Sequence, residues 1–318
     1  KFVARPIIID TDAGVDDALA LILALRSPEV SVEAITTVAG NVEVDKCTRN
    51  VAYVLDLLRP DSRPMLAEGS RRPLKKKLIT APEVHGRDGL GNIGLRRPRK
   101  LRVRRDAVDV ILESCRQFGK RLTIVALGPL TNLAKAAQKN IRTLKMAGRI
   151  VSMGGALRVP GNTGPVSEFN YFVDPEAAQL VLNAGLKVTV VPLDLTQQVV
   201  VMRREIEYRA KRRASKLGNF ILRSTRHYMR YHMAAEGFDG GYLHDPIAVA
   251  CVIQPSLIRT TRNRIDVETK GDLTRGMTVA ARPPAVWRAI QRPGAAVDVA
   301  TSLDREGFLK LFHERLWQ

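Results

Sequence analysis

An α/β fold, with an open and mostly parallel central sheet covered by helices on both faces, is the class that this 318-residue sequence predicts. Two observations lead there. Short β-branched runs alternate along the chain with segments of helical period. The runs are also apolar throughout rather than alternating, as strands buried on both faces of a parallel sheet must be. An apolar content of 45% supplies a substantial core, and no apolar run approaches the ~18 residues of a membrane span.

The elements follow in order. "PIII" at 6–9 predicts the first strand and "DDALALILALR" at 16–26 the first helix. "VSVEAITTVA" (30–39) predicts the second strand and "VDKCTRNVAYVLDLL" (44–58) the second helix. Residues 69–100 form a long, basic and irregular stretch, and a loop of that length inside a compact domain is often a working part such as a lid. "LTIVAL" (122–127) leads to a helix at 130–138, and "RIVSMGG" (149–155) precedes a helix at 174–185. "KVTVVPLDL" (187–195) predicts another strand. The segment 203–235 is helical and highly charged, and "HDPIAVACVI" (244–253) is again a helix. Strand-like "RIDVET" and "AAVDVATSL" precede a final amphipathic helix, "REGFLKLFHERL". No repeat or linker interrupts the series, so residues 1–318 are expected to form a single domain.

Lys plus Arg number 51 against 32 Asp plus Glu, a net charge of +19. The excess lies in runs at 71–77, 96–105, 203–213 and 259–264. A nucleic-acid interface would interleave such runs with aromatics or carry a recognisable motif. Neither is present, so the runs are expected to be solvated surface and nucleic acid is not an expected partner. The three cysteines, Cys47, Cys115 and Cys251, are odd in number and far apart. That pattern fits a reducing, cytoplasmic compartment rather than a disulfide framework.

"IIIDTDAGVDDALAL" carries the chemistry. Four aspartates, Asp10, Asp12, Asp16 and Asp17, fall within eight positions at the hand-over from strand to helix. Ligands of open α/β sheets bind beyond the carboxyl ends of strands. Residues i and i+2 of an extended segment share a side, so Asp10 and Asp12 could converge, and Gly14 can take a backbone conformation closed to other residues. Asp16 and Asp17 open the helix, where its dipole favours negative charge by only about 0.3–1 kcal/mol. That is too little to keep four neighbouring carboxylates ionised, and a hard cation such as Ca²⁺ or Mg²⁺ would neutralise them. Two further polar clusters follow. "GGYLHDPIAVA" sets His244 beside Asp245, with Asp245 expected as helix N-cap and Pro246 at the first helical position. "GNTGPVSEFNYFVDPEAA" gathers Asn162, Glu168 and Asn170, a set suited to a polyhydroxyl ligand or equally to a loop bonded to itself.

Taken in order, "DTDAGVDDALAL", "AITTVAGN", "ALGPLTNLA", "MGGA", "SEFNYFVDPEAA", "LDLTQ" and "HDPIAVA" resemble the nucleoside hydrolase family, the inosine-uridine preferring N-ribohydrolases. The resemblance runs from about Pro6 into the last helix. It implies a single α/β domain that binds one Ca²⁺ at the strand ends and hydrolyses the N-glycosidic bond of ribonucleosides. By motif position it implies Asp12, Asp17, Asp245 and the Leu127 carbonyl as Ca²⁺ ligands. It implies Asp16, Asn41, Asn162, Glu168 and Asn170 around the ribose hydroxyls, Met153 close to the sugar, and Asp10 supporting the site from behind. Asp12 is then placed to take the proton of the attacking water, and His244 to assist the leaving base. His85, in "EVHGRDGLG", matches a family loop near the base. Tyr228, Tyr231 and His232 fall in the segment that contacts the base in relatives, where the match is too loose to assign one of them. A homodimer or homotetramer is the implied assembly.

Two other readings compete. A haloacid-dehalogenase-like phosphatase also begins with a strand ending in D-x-D and binds Mg²⁺, but Ala13-Gly14 stands where Gly-Thr is usual, and "HDP" has no place in that scheme. A non-enzymatic polyanion binder on this scaffold would account for the charge but not for the intact set of site residues.

Overall fold

The computed structural model describes residues 3–94, 103–280 and 295–317; most of the basic run 96–105 and the end of the stretch 69–100 lie outside them. The first half of the chain is a strand–helix alternation. β1 (Arg5–Thr11), α1 (Val15–Leu25), β2 (Val30–Thr37), α2 (Val44–Leu58) and β3 (Met65–Glu68) are followed by a single turn, α3 (Pro82–His85), and the two-residue β4 (Arg104–Arg105). Then come α4 (Ala107–Phe118), β5 (Thr123–Ala126), α5 (Thr131–Leu144), β6 (Arg149–Met153), α6 (Phe169–Val173), α7 (Pro175–Asn183) and β7 (Val188–Val191). The second half is more helical: α8 (Leu193–Thr196), β8 (Val200–Met202), α9 (Arg203–Arg213), α10 (Lys216–Glu236), β9 (Gly240–Tyr242) and α11 (His244–Ile253). It ends with β10 (Ile258–Val267), β11 (Thr278–Ala280), β12 (Ala295–Leu303) and α12 (Arg305–Leu316).

Ten strands make one sheet in the order β11-β10-β12-β7-β6-β5-β1-β2-β3-β4. From β12 to β4 every neighbouring pair is parallel, and only β10 runs against its neighbours. The chain winds outward from β1 through β2 and β3 to β4, then returns to the other side of β1 as β5. That reversal creates a crevice at the carboxyl ends of β1 and β5, where doubly wound sheets bind ligands.

The apolar run at the start explains the two-sided burial. Ile7 and Ile9 join one core cluster with α1, α2, α10, α11 and α12, while Ile8 joins the opposite one with α4, α5 and α7. α1 is buried from Val15 to Ala24, and α11 along its whole length. Helices apolar all round belong between layers, and these two pack on each other with their amino ends at the crevice. The charged stretch after Arg203 is divided at Ala214, which has φ 34°, and Ser215 restarts the helix by accepting the Gly218 N–H at 2.9 Å. Cys47, Cys115 and Cys251 are free and buried. No helix among the described residues is long and apolar enough to cross a membrane.

Candidate active site

The turn after β1 differs from expectation in its detail. Gly14 has φ −81°, open to any residue, and Ala13 carries the left-handed value, φ 33°. Glycine is required at 14 for space: a Cβ there would lie 2.6 Å from both Asn41 Nδ2 and His85 Nδ1. The same holds around Asp12. A Cβ on Gly128 would lie 2.9 Å from its Oδ1, and one on Gly40 would collide with its Oδ2. Backbone is therefore packed directly against this carboxylate from two other strand ends.

Asp10 and Asp12 do not converge. Asp10 turns to the Thr36 hydroxyl and to Asn132 Nδ2 at 2.8 Å, and burial pushes its pKa up to about 6. Asn132 also donates to the Thr37 carbonyl and accepts the Ser70 N–H, so Asp10 ties β1 to β2, α5 and the loop after β3. Asp12 Oδ2 accepts the Asn41 N–H at 2.7 Å, while its Oδ1 is buried with no hydrogen-bond partner. Asp17 Oδ1 accepts from the Thr11 hydroxyl, and Oδ2 from the Gly14 N–H at 2.8 Å and Asn41 Nδ2 at 3.0 Å.

Carboxylate oxygens of Asp16, Asp17 and Asp245 lie within 4.8 Å of one another. Asp245 is not the N-cap of α11: Leu243 holds that place, and the Asp245 side chain turns to Asp17 instead. Burial raises the pKa of all four site aspartates. For Asp12, Asp16 and Asp245 the charge of Asp17 is the next cause, and Asp16 reaches about 8. Like charges in a dry site cannot all ionise unaided. An all-oxygen donor set with one orphaned oxygen, at the amino ends of two helices, fits a hard cation.

These groups form the floor of a cavity of about 540 Å³, within the usual range for small ligands. Of the residues expected at the site, Asp16, Asn41, His85, Leu127, Met153, Asn162, Glu168, Asn170, His244 and Asp245 line it. Asp12 and Asp17 are fully buried beside them. The loop before α6 is partly bonded to itself. Asn162 Oδ1 accepts the Phe169 N–H at 2.9 Å, and Glu168 accepts the N–H groups of Asn170, Tyr171 and Gly155 at 2.7–3.1 Å. Burial still pushes the Glu168 pKa up to about 7. Asn170 reaches outward, donating to the Leu127 carbonyl at 2.7 Å and the Met153 carbonyl at 3.2 Å, which fixes the loop to the ends of β5 and β6.

Both histidines are neutral. Burial first, then neighbouring imidazoles, lowers the pKa of His85 and of His244 to about 3. His85 Nδ1 accepts the Val15 N–H at 3.1 Å, which leaves the ring proton on Nε2. His244 Nδ1 lies 2.7 Å from Thr196 Oγ1. Tyr228, stacked on His85 at 5.7 Å, also lines the cavity, with Tyr242, Gln197 and Glu236. Sequence reasoning missed Thr196 and Asn132, although both stand inside the motifs "LDLTQ" and "ALGPLTNLA"; only their contacts, to His244 and Asp10, reveal what they do.

The family model of inosine-uridine preferring nucleoside hydrolases matches residues 7–310. The pyrimidine-specific ribonucleoside hydrolase RihA of Enterobacter sp. (strain 638) is 38% identical over 316 residues, covering 99% of this chain and 98% of its own. A plant nucleoside hydrolase of solved structure superposes with a TM-score of 0.90 at 36% identity, over 99% of both chains. A purine-preferring ribonucleoside hydrolase from Gardnerella vaginalis does so at 0.89 and 32%, over 98% of both. With a family model spanning nearly the whole chain and relatives matched end to end, the chain belongs to the inosine-uridine preferring nucleoside hydrolases, enzymes that cleave the N-glycosidic bond of ribonucleosides.

Proposed function

We propose that this enzyme releases free base and ribose from ribonucleosides in a Ca²⁺-dependent reaction, with Asp12, Asp17, Asp245 and the Leu127 carbonyl holding the ion. The observation that carries the reading is the buried aspartate group at the cavity floor, with Asp12 Oδ1 lacking a partner and every carboxyl pKa raised. A bound Ca²⁺ would neutralise these carboxylates and lower the pKa of water at the site.

The protein's own groups do the rest. Asp12 is held through Oδ2 by the Asn41 N–H, leaving Oδ1 to accept the proton of the water that attacks the anomeric carbon. Asp16, Asn41, Asn162, Glu168 and Asn170 hold the ribose hydroxyls, with Met153 against the sugar. As the C–N bond breaks, electrons move to the base, which needs a proton or a hydrogen bond. Thr196 Oγ1 stands 2.7 Å from His244 Nδ1, and in the tautomer to which that hydroxyl donates, the Nε2–H of the ring is left to assist the departing base. This arrangement differs from the usual pair of glycosidase carboxylates, where one acid and one base flank the bond.

The test is ribose release from a panel of purine and pyrimidine ribonucleosides. Turnover should vanish in excess chelator and return with Ca²⁺. Turnover that is indifferent to the chelator would remove the ion from the mechanism.

His244→Ala should slow inosine and uridine by about 10²–10³ in kcat, the scale of one hydrogen-bond donor aimed at developing charge, yet slow p-nitrophenyl riboside far less, because nitrophenolate departs without such help. If His244 merely steadies Asp245, both substrate types will fall together at saturating Ca²⁺. Equal losses would take it out of the leaving-group role.

A further inference from the structure

One face of α10 runs along the cavity. Tyr228, Tyr231, His232 and Glu236 all line it, at the three- and four-residue spacing that aligns side chains on a helix. Tyr228 stands between the aspartate floor and Glu236: burial raises its pKa, and the charges of Asp16, Asp245 and Glu236 add to that. Glu236 lies eight residues on, about 12 Å along the axis at 1.5 Å per residue. The cavity therefore has a carboxylate at the end away from the metal floor. Glu83 on α3 also borders the cavity and, like Glu236, is exposed, but no ring or hydroxyl tethers its carboxylate among the described residues.

Glu236 is held in place. The Tyr242 hydroxyl donates to its Oε2 at 2.7 Å, and His232 Nδ1 to its Oε1 at 3.1 Å. His232 is itself fixed by rings: Tyr242 edge-on at 5.1 Å and Phe238 stacked at 5.3 Å. Burial lowers the His232 pKa, while its hydrogen bond to the Glu236 carboxylate acts in the other direction. The Glu236 side chain is nonetheless 37% exposed. Each oxygen has one donor and a further lone pair, and the group is acceptor-only.

We propose that Glu236 sets base preference in this enzyme, favouring bases that carry an amino group on the edge farthest from the sugar over their keto counterparts. This rests on the ribonucleoside hydrolase reading. With the ribose on the aspartate floor, the base extends along α10 toward Glu236. The substituent at position 4 of a pyrimidine, or position 6 of a purine, lies on the edge remote from the glycosidic nitrogen. An amino group there, as in cytosine or adenine, donates to the carboxylate in a charge-assisted hydrogen bond. A carbonyl there, as in uracil or hypoxanthine, sets lone pair against lone pair, and the nearest donor becomes the adjoining ring N–H, one atom further round the edge. Specificity of this kind comes from the repelled competitor as much as from the accepted substrate. Hydrogen bonds to charged groups predict a preference of about 10- to 100-fold. Ring size is not the discriminating feature in this scheme, since both pairs differ only at the remote edge.

The experiment compares kcat/KM for cytidine with uridine, and for adenosine with inosine, in wild type and in Glu236→Gln. Each ratio is taken within one preparation, so the folded fraction cancels. The amino substrate should win by about tenfold or more in both pairs. Glu236→Gln, which presents a donor as well as an acceptor, should bring both ratios at least about tenfold closer to one. Tyr242→Phe, which frees the carboxylate from one tether, should move them part of the way. A keto preference in wild type, or ratios unmoved by Glu236→Gln, overturns the assignment. p-Nitrophenyl riboside separates the layers: its hydrolysis by wild type alongside a failed ratio rejects only the base rule, whereas no ribose from any substrate rejects the hydrolase reading beneath it.

Discussion

Replacing a ribonucleoside by its 2′-deoxy analogue should lower kcat/KM by about 10⁴–10⁵, the discrimination available to a site built to hydrogen-bond a hydroxyl. The cavity wall around Asp16 is what motivates this figure. Asp16 is buried, and burial together with the Asp17 charge pushes its pKa up to about 8. His85 Nδ1, its nearest basic neighbour, stands 4.0 Å away and already accepts the Val15 N–H, so it offers Asp16 no proton. Backbone N–H groups, that of Asp245 among them, are the donors Asp16 has, and a ribose hydroxyl would add a further one to a buried carboxyl. Without that hydroxyl the carboxyl stays desolvated and short of that donor, and the cost falls on the transition state for deoxynucleosides alone. The measurement is kcat/KM for inosine against 2′-deoxyinosine, and for uridine against 2′-deoxyuridine, at saturating Ca²⁺. Comparable values would refute the assignment of the ribose to this wall.

The legible parts of this protein are those whose signal is local. Val44–Leu58 and His244–Ile253 agree with the expected helices at both ends, the first because it has an unbroken helical period, the second because a continuous apolar run follows the Asp-Pro start. The aspartates were legible because four of them are nearly contiguous and follow a continuous apolar strand. Strands β3, β4, β8, β9 and β11 have two to four residues each and no room for a pattern, and the sequence does not reveal them. Helix α4 was missed although its period is present at Val110, Ile111, Ser114 and Cys115, because a long basic run precedes it. In the site, the missed residues act across long separations in the chain. Asn132 reaches Asp10 over 122 positions and Thr196 reaches His244 over 48. A threonine or an asparagine is ordinary in a strand end or helix start, and only tertiary contact gives it a task. Two local inferences failed for a related reason. Local reading gives Gly14 conformational freedom and Asp245 a helix cap, although the family resemblance already places Asp245 among the cation ligands. The fold instead uses the first for close approach and the second for the carboxylate group.

The charge of the chain fits the same distinction between local signal and assembled site. The net +19 belongs to the chain as a whole, whereas the cavity floor concentrates buried acids.

Asp12→Asn should lower kcat by at least about 10²–10⁴, the scale of a general base, while making the cation-free protein more stable. The two effects have one origin. The wild-type carboxylate is fully buried, packed by the backbone at Gly40 and Gly128, and repelled by Asp17 and Asp16. An amide of the same shape keeps an oxygen for the Asn41 N–H, now held at 2.7 Å by Oδ2. It loses the charge that burial and its neighbours penalise. So in chelator the thermal midpoint should rise above wild type, and the upward shift caused by added Ca²⁺ should shrink, because one ligand charge is gone. Catalysis moves the other way. The amide nitrogen takes the position of the unpartnered Oδ1 and presents N–H donors where water needs an acceptor, so nothing at that atom can take the proton. A purely structural role would lower activity and stability together. Measuring kcat at saturating Ca²⁺ and substrate, with the midpoint in chelator from the same preparation, separates the cases: a fall in kcat of less than tenfold would give the base role to another group.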